Sequence, residues 1–149
     1  MFREYWRQPD ANVDAFDGTW FFTGDAAMFD GEDFLYIVDR IKDIVIRGGE
    51  NIGCGVVEAA LVEHASVIES SVYAVPDDRL GEELGATLYV SQLMDEDELR
   101  VFLADRLAKF EIPRYFYQQT EPLPRIASGK IAKRQLRAEA RTRLELDAE

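Results

Sequence analysis

Ile44-Val45-Ile46-Arg47-Gly48-Gly49-Glu50-Asn51-Ile52 runs without a break into Gly53-Cys54-Gly55-Val56-Val57. The β-branched triplet reads as a strand, and the glycine pair offers a tight reversal before the chain returns. From Gly55 the period changes. Val56, Val57, Ala60 and Leu61 fall on one face of a helix that fades near His64. A hairpin feeding directly into a helix sets the class: mixed, with strands and helices sharing one core.

The downstream chain keeps this alternation. Val67 to Val75 is rich in β-branched residues and is expected to stop at Pro76, and Leu84 to Val90 reads as a further strand. Asp95 and Glu98 form a capping-box pattern, and Leu99, Phe102, Leu103 and Leu107 give the following helix its apolar stripe. Tyr115-Phe116-Tyr117 is a short strand, Pro122 and Pro124 keep the next stretch out of helix, and Ile131, Leu136, Ala140 and Leu144 line a final helix. The expectation is an α+β domain: a β-hairpin, a central sheet of about three strands, and flanking helices.

Upstream, residues 1–40 read as a separate β-rich piece. Ala26-Ala27-Met28-Phe29 and Phe34-Leu35-Tyr36-Ile37-Val38 flank Asp30-Gly31, a turn signal that relies on glycine for positive φ. The boundary is expected near Arg40, where the charged run Asp39-Arg40-Ile41-Lys42-Asp43 begins, giving units 1–40 and 41–149.

Composition narrows the function. The 149 residues carry a net charge of −12, which disfavours nucleic-acid binding by bulk attraction to phosphates. No apolar run approaches the roughly 18 residues a membrane span needs, and no apolar core follows Met1-Phe2-Arg3 as a secretory signal would require. A single cysteine, Cys54, allows no internal disulfide and fits a cytoplasmic protein. The charge is uneven: Arg125, Lys130, Lys133, Arg134, Arg137, Arg141 and Arg143 are opposed within their segment by Glu139 alone. Such a segment suits a local anion, although a solvated basic helix explains it equally well. Cys54 and His64 are ten residues apart across a helix and read as a buried filler and a helix-end residue. The absence of a Cys/His cluster leaves no metal site of the chain's own.

Four blocks, in this order and spacing, are more specific. They are Trp20-Phe21-Phe22-Thr23-Gly24-Asp25; Tyr36-Ile37-Val38-Asp39-Arg40-Ile41-Lys42-Asp43 with Ile46-Arg47-Gly48-Gly49-Glu50-Asn51-Ile52; Val75-Pro76-Asp77-Asp78-Arg79-Leu80-Gly81-Glu82; and Leu123-Pro124-Arg125-Ile126-Ala127-Ser128-Gly129-Lys130-Ile131. Together they resemble the adenylate-forming (AMP-binding) enzymes, most closely the acyl-CoA synthetases or acid–CoA ligases. The resemblance covers nearly all of this chain but only about the last quarter of a family enzyme. It implies that residues 1–40 are the end of an N-terminal domain and 41–149 a mobile C-terminal domain. It also implies that the missing N-terminal domain is the chief partner, and that the isolated chain is inactive. Having lost its parent sheet, the 1–40 piece is expected to be poorly anchored, with edges that could pair in a homodimer.

The resemblance further implies a reaction. A carboxylic acid, fatty or aromatic, attacks the α-phosphorus of ATP, pyrophosphate leaves, and CoA then displaces AMP from the acyl-adenylate. Magnesium accompanies the ATP. Lys130 matches the catalytic lysine that meets charge on the reacting oxygens; read alone, Ser-Gly-Lys is an ordinary surface loop. Asp25 matches the aspartate that binds the ATP ribose hydroxyls, and Arg40 an arginine that reaches the same sugar. Read alone, they are a turn aspartate and a partner for Asp39 or Asp43. Lys42 matches the hinge about which the C-terminal domain rotates between half-reactions. Gly48 and Gly49 match the loop passing the pantetheine arm of CoA, besides closing a hairpin. Phe22, Gly53-Cys54-Gly55, Val56 and Glu4 depart from the usual pattern and touch none of these positions. A non-catalytic binding or regulatory module of the same fold, and an adenylation domain that loads a carrier protein, remain alternatives.

Overall fold

A computed structural model of the chain describes residues 2–147. It divides into two compact units, Met1–Lys42 and Asp43–Glu149.

The first unit opens with a short helix, α1 (Pro9–Ala15), followed by the two-residue strands β1 (Phe16–Asp17) and β2 (Trp20–Phe21). The expected β-rich reading missed this helix. Its signal is Pro9 at the first helical position, where a proline loses nothing because that N–H has no helical partner. Strands β3 (Asp25–Phe29) and β4 (Leu35–Arg40) then pair antiparallel with a bulge between Ala26 and Ala27. The hairpin stands where Asp30-Gly31 placed it, but Asp33, not Gly31, takes the positive φ, at 64°. Asp30 builds the turn instead: its Oδ1 accepts from the backbone N–H groups of Glu32 and Phe34 at 2.9 and 3.0 Å. None of the described residues of this unit is buried.

The second unit has the order β5 (Ile44–Arg47), β6 (Glu50–Gly53), α2 (Cys54–Val62), β7 (Val67–Asp77), β8 (Gly81–Val90), α3 (Glu96–Ala104), β9 (Tyr115–Gln119) and α4 (Lys133–Asp147). The expected α+β class holds. The three-stranded centre is β7-β8-β9, antiparallel on one side of β8 and parallel on the other. The β5–β6 hairpin is not separate from it: Arg47 pairs with Gly81, so β5 continues the edge of β8 that β9 occupies further along, giving five strands. Strand β7 also runs through Pro76 to Asp77 rather than stopping before it. It lies at the edge of the sheet, where the N–H that proline lacks is not needed for a ladder.

Both faces of this sheet are covered. Val72 and Ala74 of β7 face one core, built with Leu61 of α2, Leu99 and Leu103 of α3, and Leu84, Ala86 and Leu88 of β8. Tyr73 and Val75 face the other, built with Leu123, Leu136 and Ala140. Double coverage explains why the Val72–Val75 run is continuously apolar instead of alternating. Gly85 in β8 has a packing reason: a Cβ there would come within 2.9 Å of the Tyr73 ring, whose hydroxyl lies 2.6 Å from Thr87 Oγ1. Asp95 caps α3 as expected, its carboxylate accepting from the N–H groups of Asp97 and Glu98.

Candidate functional site

Asp25 and Arg40 are the opening and closing residues of the β3–β4 register. Gly24, at φ 74°, turns the chain into β3, and the Asp25 N–H donates to Thr23 Oγ1 at 3.2 Å. Arg40 Nε lies 3.0 Å from Asp25 Oδ1. Arg40 thus pairs across the ribbon with Asp25, a partner the sequence did not suggest, and its backbone N–H donates to Asp39 Oδ1 at 2.7 Å. A carboxylate oxygen and guanidinium donors side by side can accept from and donate to a vicinal diol.

Lys42 sits in a 3₁₀ turn, Ile41–Asp43, and is exposed. The division between the two compact units falls directly after it.

Gly48 and Gly49 form the two-residue turn between Arg47 and Glu50, with φ 58° and 95°. Both central residues of such a turn need positive φ, so glycine is required by backbone geometry alone. A Cβ on Gly48 would also lie 3.0 Å from Leu80, whereas one on Gly49 would meet nothing within 4 Å. The turn is pinned. Gly48 N–H donates to the Leu80 carbonyl at 2.9 Å, and the Ile46 N–H donates to Glu82 Oε2 at 2.9 Å. Arg47 Nε donates at 2.5 Å to Glu83, a carboxylate only 1% exposed that also accepts from the Leu84 N–H. The hydrogen bond to Glu83 outweighs burial and holds the Arg47 guanidinium above its ordinary range. Asp77 caps the neighbouring β7–β8 turn; its bonds from the Leu80 and Arg79 N–H groups hold its carboxyl below the usual range.

Lys130 lies at the far end of the same ribbon. Residues 125–131 close a small loop: Arg125 bridges Ile131, Ile126 N–H donates to the Lys130 carbonyl, and Gly129, at φ 83°, reverses the chain. Arg125 braces it, donating from Nη1 to the Gly129 carbonyl at 2.7 Å and from Nη2 to Glu69 of β7. The Lys130 side chain is exposed and has no ion-pair partner among the described residues. Several basic neighbours are committed: Lys133 to Glu58 at 3.0 Å, Arg137 to Glu82 at 3.5 Å, and Arg143 over the Tyr117 ring. Burial pulls Lys133 down, but Glu58, with Cys54 and Asp43 nearby, outweighs it and leaves the ammonium above its ordinary range.

The structure thus brings Asp25 to Arg40 within the first unit, and places the two loops of the second unit at opposite ends of β7–β8. Glu69, which holds the Lys130 loop, and Asp77, beside Leu80 and the glycine turn, are eight residues apart on one strand, about 25 Å at the rise of extended chain. Glu69 and Glu83 were missed from the sequence. The available signal was a carboxylate interrupting each of two apolar strands, which burial permits only with a partner. Cys54 is buried at the start of α2, and His64 Nδ1 accepts from the Ser66 N–H while its ring meets Phe102 edge-on. Among the described residues no group of three His, Cys, Asp or Glu is placed to hold a metal ion, and no helix is long and apolar enough to cross a membrane.

Comparison with known proteins agrees with the four blocks. The 2-succinylbenzoate–CoA ligase of Bacillus velezensis is 40% identical over 136 residues, 91% of this chain and 28% of the ligase. A long-chain-fatty-acid–CoA ligase of Mycobacterium tuberculosis is 38% identical over 138 residues, 92% of this chain and 27% of that enzyme. Among solved structures, the o-succinylbenzoate CoA synthetase of Bacillus subtilis in complex with its acyl-adenylate intermediate superposes with a TM-score of 0.83 at 37% identity, over 90% of this chain and 28% of that one. The chain therefore spans somewhat over a quarter of the length of the relatives it matches. Residues 56–130, from the first turn of α2 to the lysine at the loop tip, match the family described as AMP-binding enzyme C-terminal domain, and the chain belongs to that family.

Proposed function

We propose that this chain is the C-terminal portion of an AMP-forming acid–CoA ligase. In that reading a carboxylate attacks the α-phosphorus of ATP, expelling pyrophosphate and leaving an acyl-adenylate. The CoA thiolate then attacks the acyl carbon and AMP departs. The supporting observation is Lys130: an exposed cation without an ion-pair partner among the described residues, at the end of the family match and on the tip of a braced loop. Its ammonium would sit against the oxygens of the attacking carboxylate and the α-phosphate, where negative charge gathers in the transition state. Asp25 and Arg40 would grip the ribose hydroxyls, the carboxylate accepting and the guanidinium donating. Magnesium would neutralise phosphate charge when bound with ATP, as the Bacillus subtilis synthetase has been solved with ATP and a magnesium ion.

The separation of the two loops supports a rotating domain. A site of ordinary size cannot receive both ends of a ribbon about 25 Å long at once. Lys42, at the division between the units, would absorb the backbone change, bringing Lys130 for the first half-reaction and the Gly48-Gly49 turn, past which pantetheine runs, for the second. Residues 1–40 would close off a large N-terminal domain that selects the acid. Relatives named for an aromatic acid and for fatty acids both match, so both classes stand as candidate substrates. We place the enzyme in the cytoplasm, and expect the hairpin edges of residues 25–40 to pair two copies only when the large domain is absent.

The test is Lys130→Ala in the full-length protein. Pyrophosphate exchange should fall by about 10²–10³-fold, while thioester formation from supplied acyl-adenylate is retained. Equal loss of both halves, or turnover by the 149-residue chain alone, would overturn the reading.

A further inference from the structure

We propose that Arg125 and Glu69 act as positioning residues for Lys130, aiming its loop during adenylate formation; this rests on the role of Lys130 put forward above. The loop's internal bonds, from Ile126 N–H to the Lys130 carbonyl and from Gly129 N–H to the Ile126 carbonyl, fix its shape. Leu123 and Ile131 also pack against Tyr73 and Val75 of β7 and seat the two ends of the loop on the sheet. Among the described residues, every hydrogen bond from residues 123–131 to β7 ends on one carboxylate, Glu69.

The two oxygens of Glu69 hold the loop at both ends. Oε2 accepts from the Leu123 N–H at 3.2 Å, where the chain enters. Oε1 takes Nη2 of Arg125, whose Nη1 reaches on to the Gly129 carbonyl at 2.7 Å. That carbonyl belongs to the peptide whose nitrogen is that of Lys130, so the brace ends one bond from the residue it aims. Only a planar fork can hold a carboxylate and a carbonyl together in this way; a lysine at 125 would supply the charge without the second arm. Glu69 itself is held by its pairing with Tyr89, where β7 resumes a regular register with β8 after an irregularity at Val67–Glu69, and Leu123 is buried with Tyr73 and Val75 of the same strand. The Gly48-Gly49 turn, held by Leu80, Glu82 and Glu83 at the other end of the ribbon, shares none of these contacts. The brace therefore acts on one half-reaction only.

The experiment measures both half-reactions in the full-length protein for Arg125→Lys, Glu69→Gln and Lys130→Ala, with Arg106→Met, which breaks the remote Arg106–Glu63 pair, as control. Displacing a reacting group by about 1 Å costs up to roughly 10²-fold, so Arg125→Lys and Glu69→Gln should each lower the adenylation rate by about 10–100-fold. The KM for ATP should stay within about twofold, thioester formation from supplied acyl-adenylate should be unchanged, and Arg106→Met should alter neither half. Adenylation at full rate in both brace variants, with Lys130→Ala impaired, overturns the positioning role alone. Parallel loss of both half-reactions, including loss through misfolding, marks a merely structural latch and overturns it too. An unimpaired Lys130→Ala overturns this role and that of Lys130 together.

Discussion

Residues 25–40 and residues 67–90 are both antiparallel two-strand ribbons rich in β-branched and aromatic side chains, yet they differ completely in burial. In the first, Met28, Phe29, Leu35, Tyr36 and Ile37 are all exposed. In the second, Val72 to Val75 and Leu84 to Leu88 are covered on both faces by α2, α3 and α4. Strand patterning writes a hairpin in either case. A core needs further layers, and the 40 residues around β3–β4 contain only the seven-residue α1 to supply one. On the proposed reading of residues 1–40 as the end of a larger domain, the uncovered hairpin would be completed by strands of that domain.

The sharpest way to test that contrast is to cut into the covered ribbon. Leu88 is fully buried, and Leu88→Ala should lower the stability of the second unit by roughly 3 kcal/mol, read from the shift of its urea midpoint. An intermediate effect concerns Tyr73. Burial pushes its phenol from 10.0 up to about 12, against the opposing bond to Thr87. The folded chain thus holds this proton more tightly than the unfolded chain. The resulting stabilisation is complete below pH 10 and is lost as pH rises through the window up to about 12. The loss is roughly 2–3 kcal/mol, and Tyr73→Phe should flatten that alkaline slope. The smallest effect belongs to the uncovered ribbon: Ile37, 61% exposed, should tolerate Ile37→Ala with a change below about 0.5 kcal/mol. A cost matching that of Leu88→Ala would erase the distinction between the ribbons.

Much of this was legible in the residues, and what was not has identifiable causes. Gly48-Gly49 and Gly129 announce their turns because few other residues enter that backbone region, and Asp95 announces its helix because a carboxylate there satisfies free N–H groups. Asp25 and Arg40 could be named by resemblance, but not as partners, since pairing them required the β3–β4 register. The attachment of β5 to β8 rests on one residue pair, too little to leave a pattern. The Glu69–Arg125 brace spans 56 positions, and no local rule connects residues so far apart. At Asp30-Gly31 the turn was read correctly and its mechanism was not: the aspartate side chain made the glycine's freedom unnecessary.

The arrangement of β8 has a practical consequence for redesign. Its Gly81 end supports the glycine turn and its Tyr89 end lies opposite Glu69, so the two loops are separated by the length of one strand. Under the roles proposed for the glycine turn and for Lys130, substitutions at one tip should leave the half-reaction assigned to the other unchanged, so the two could be altered one at a time.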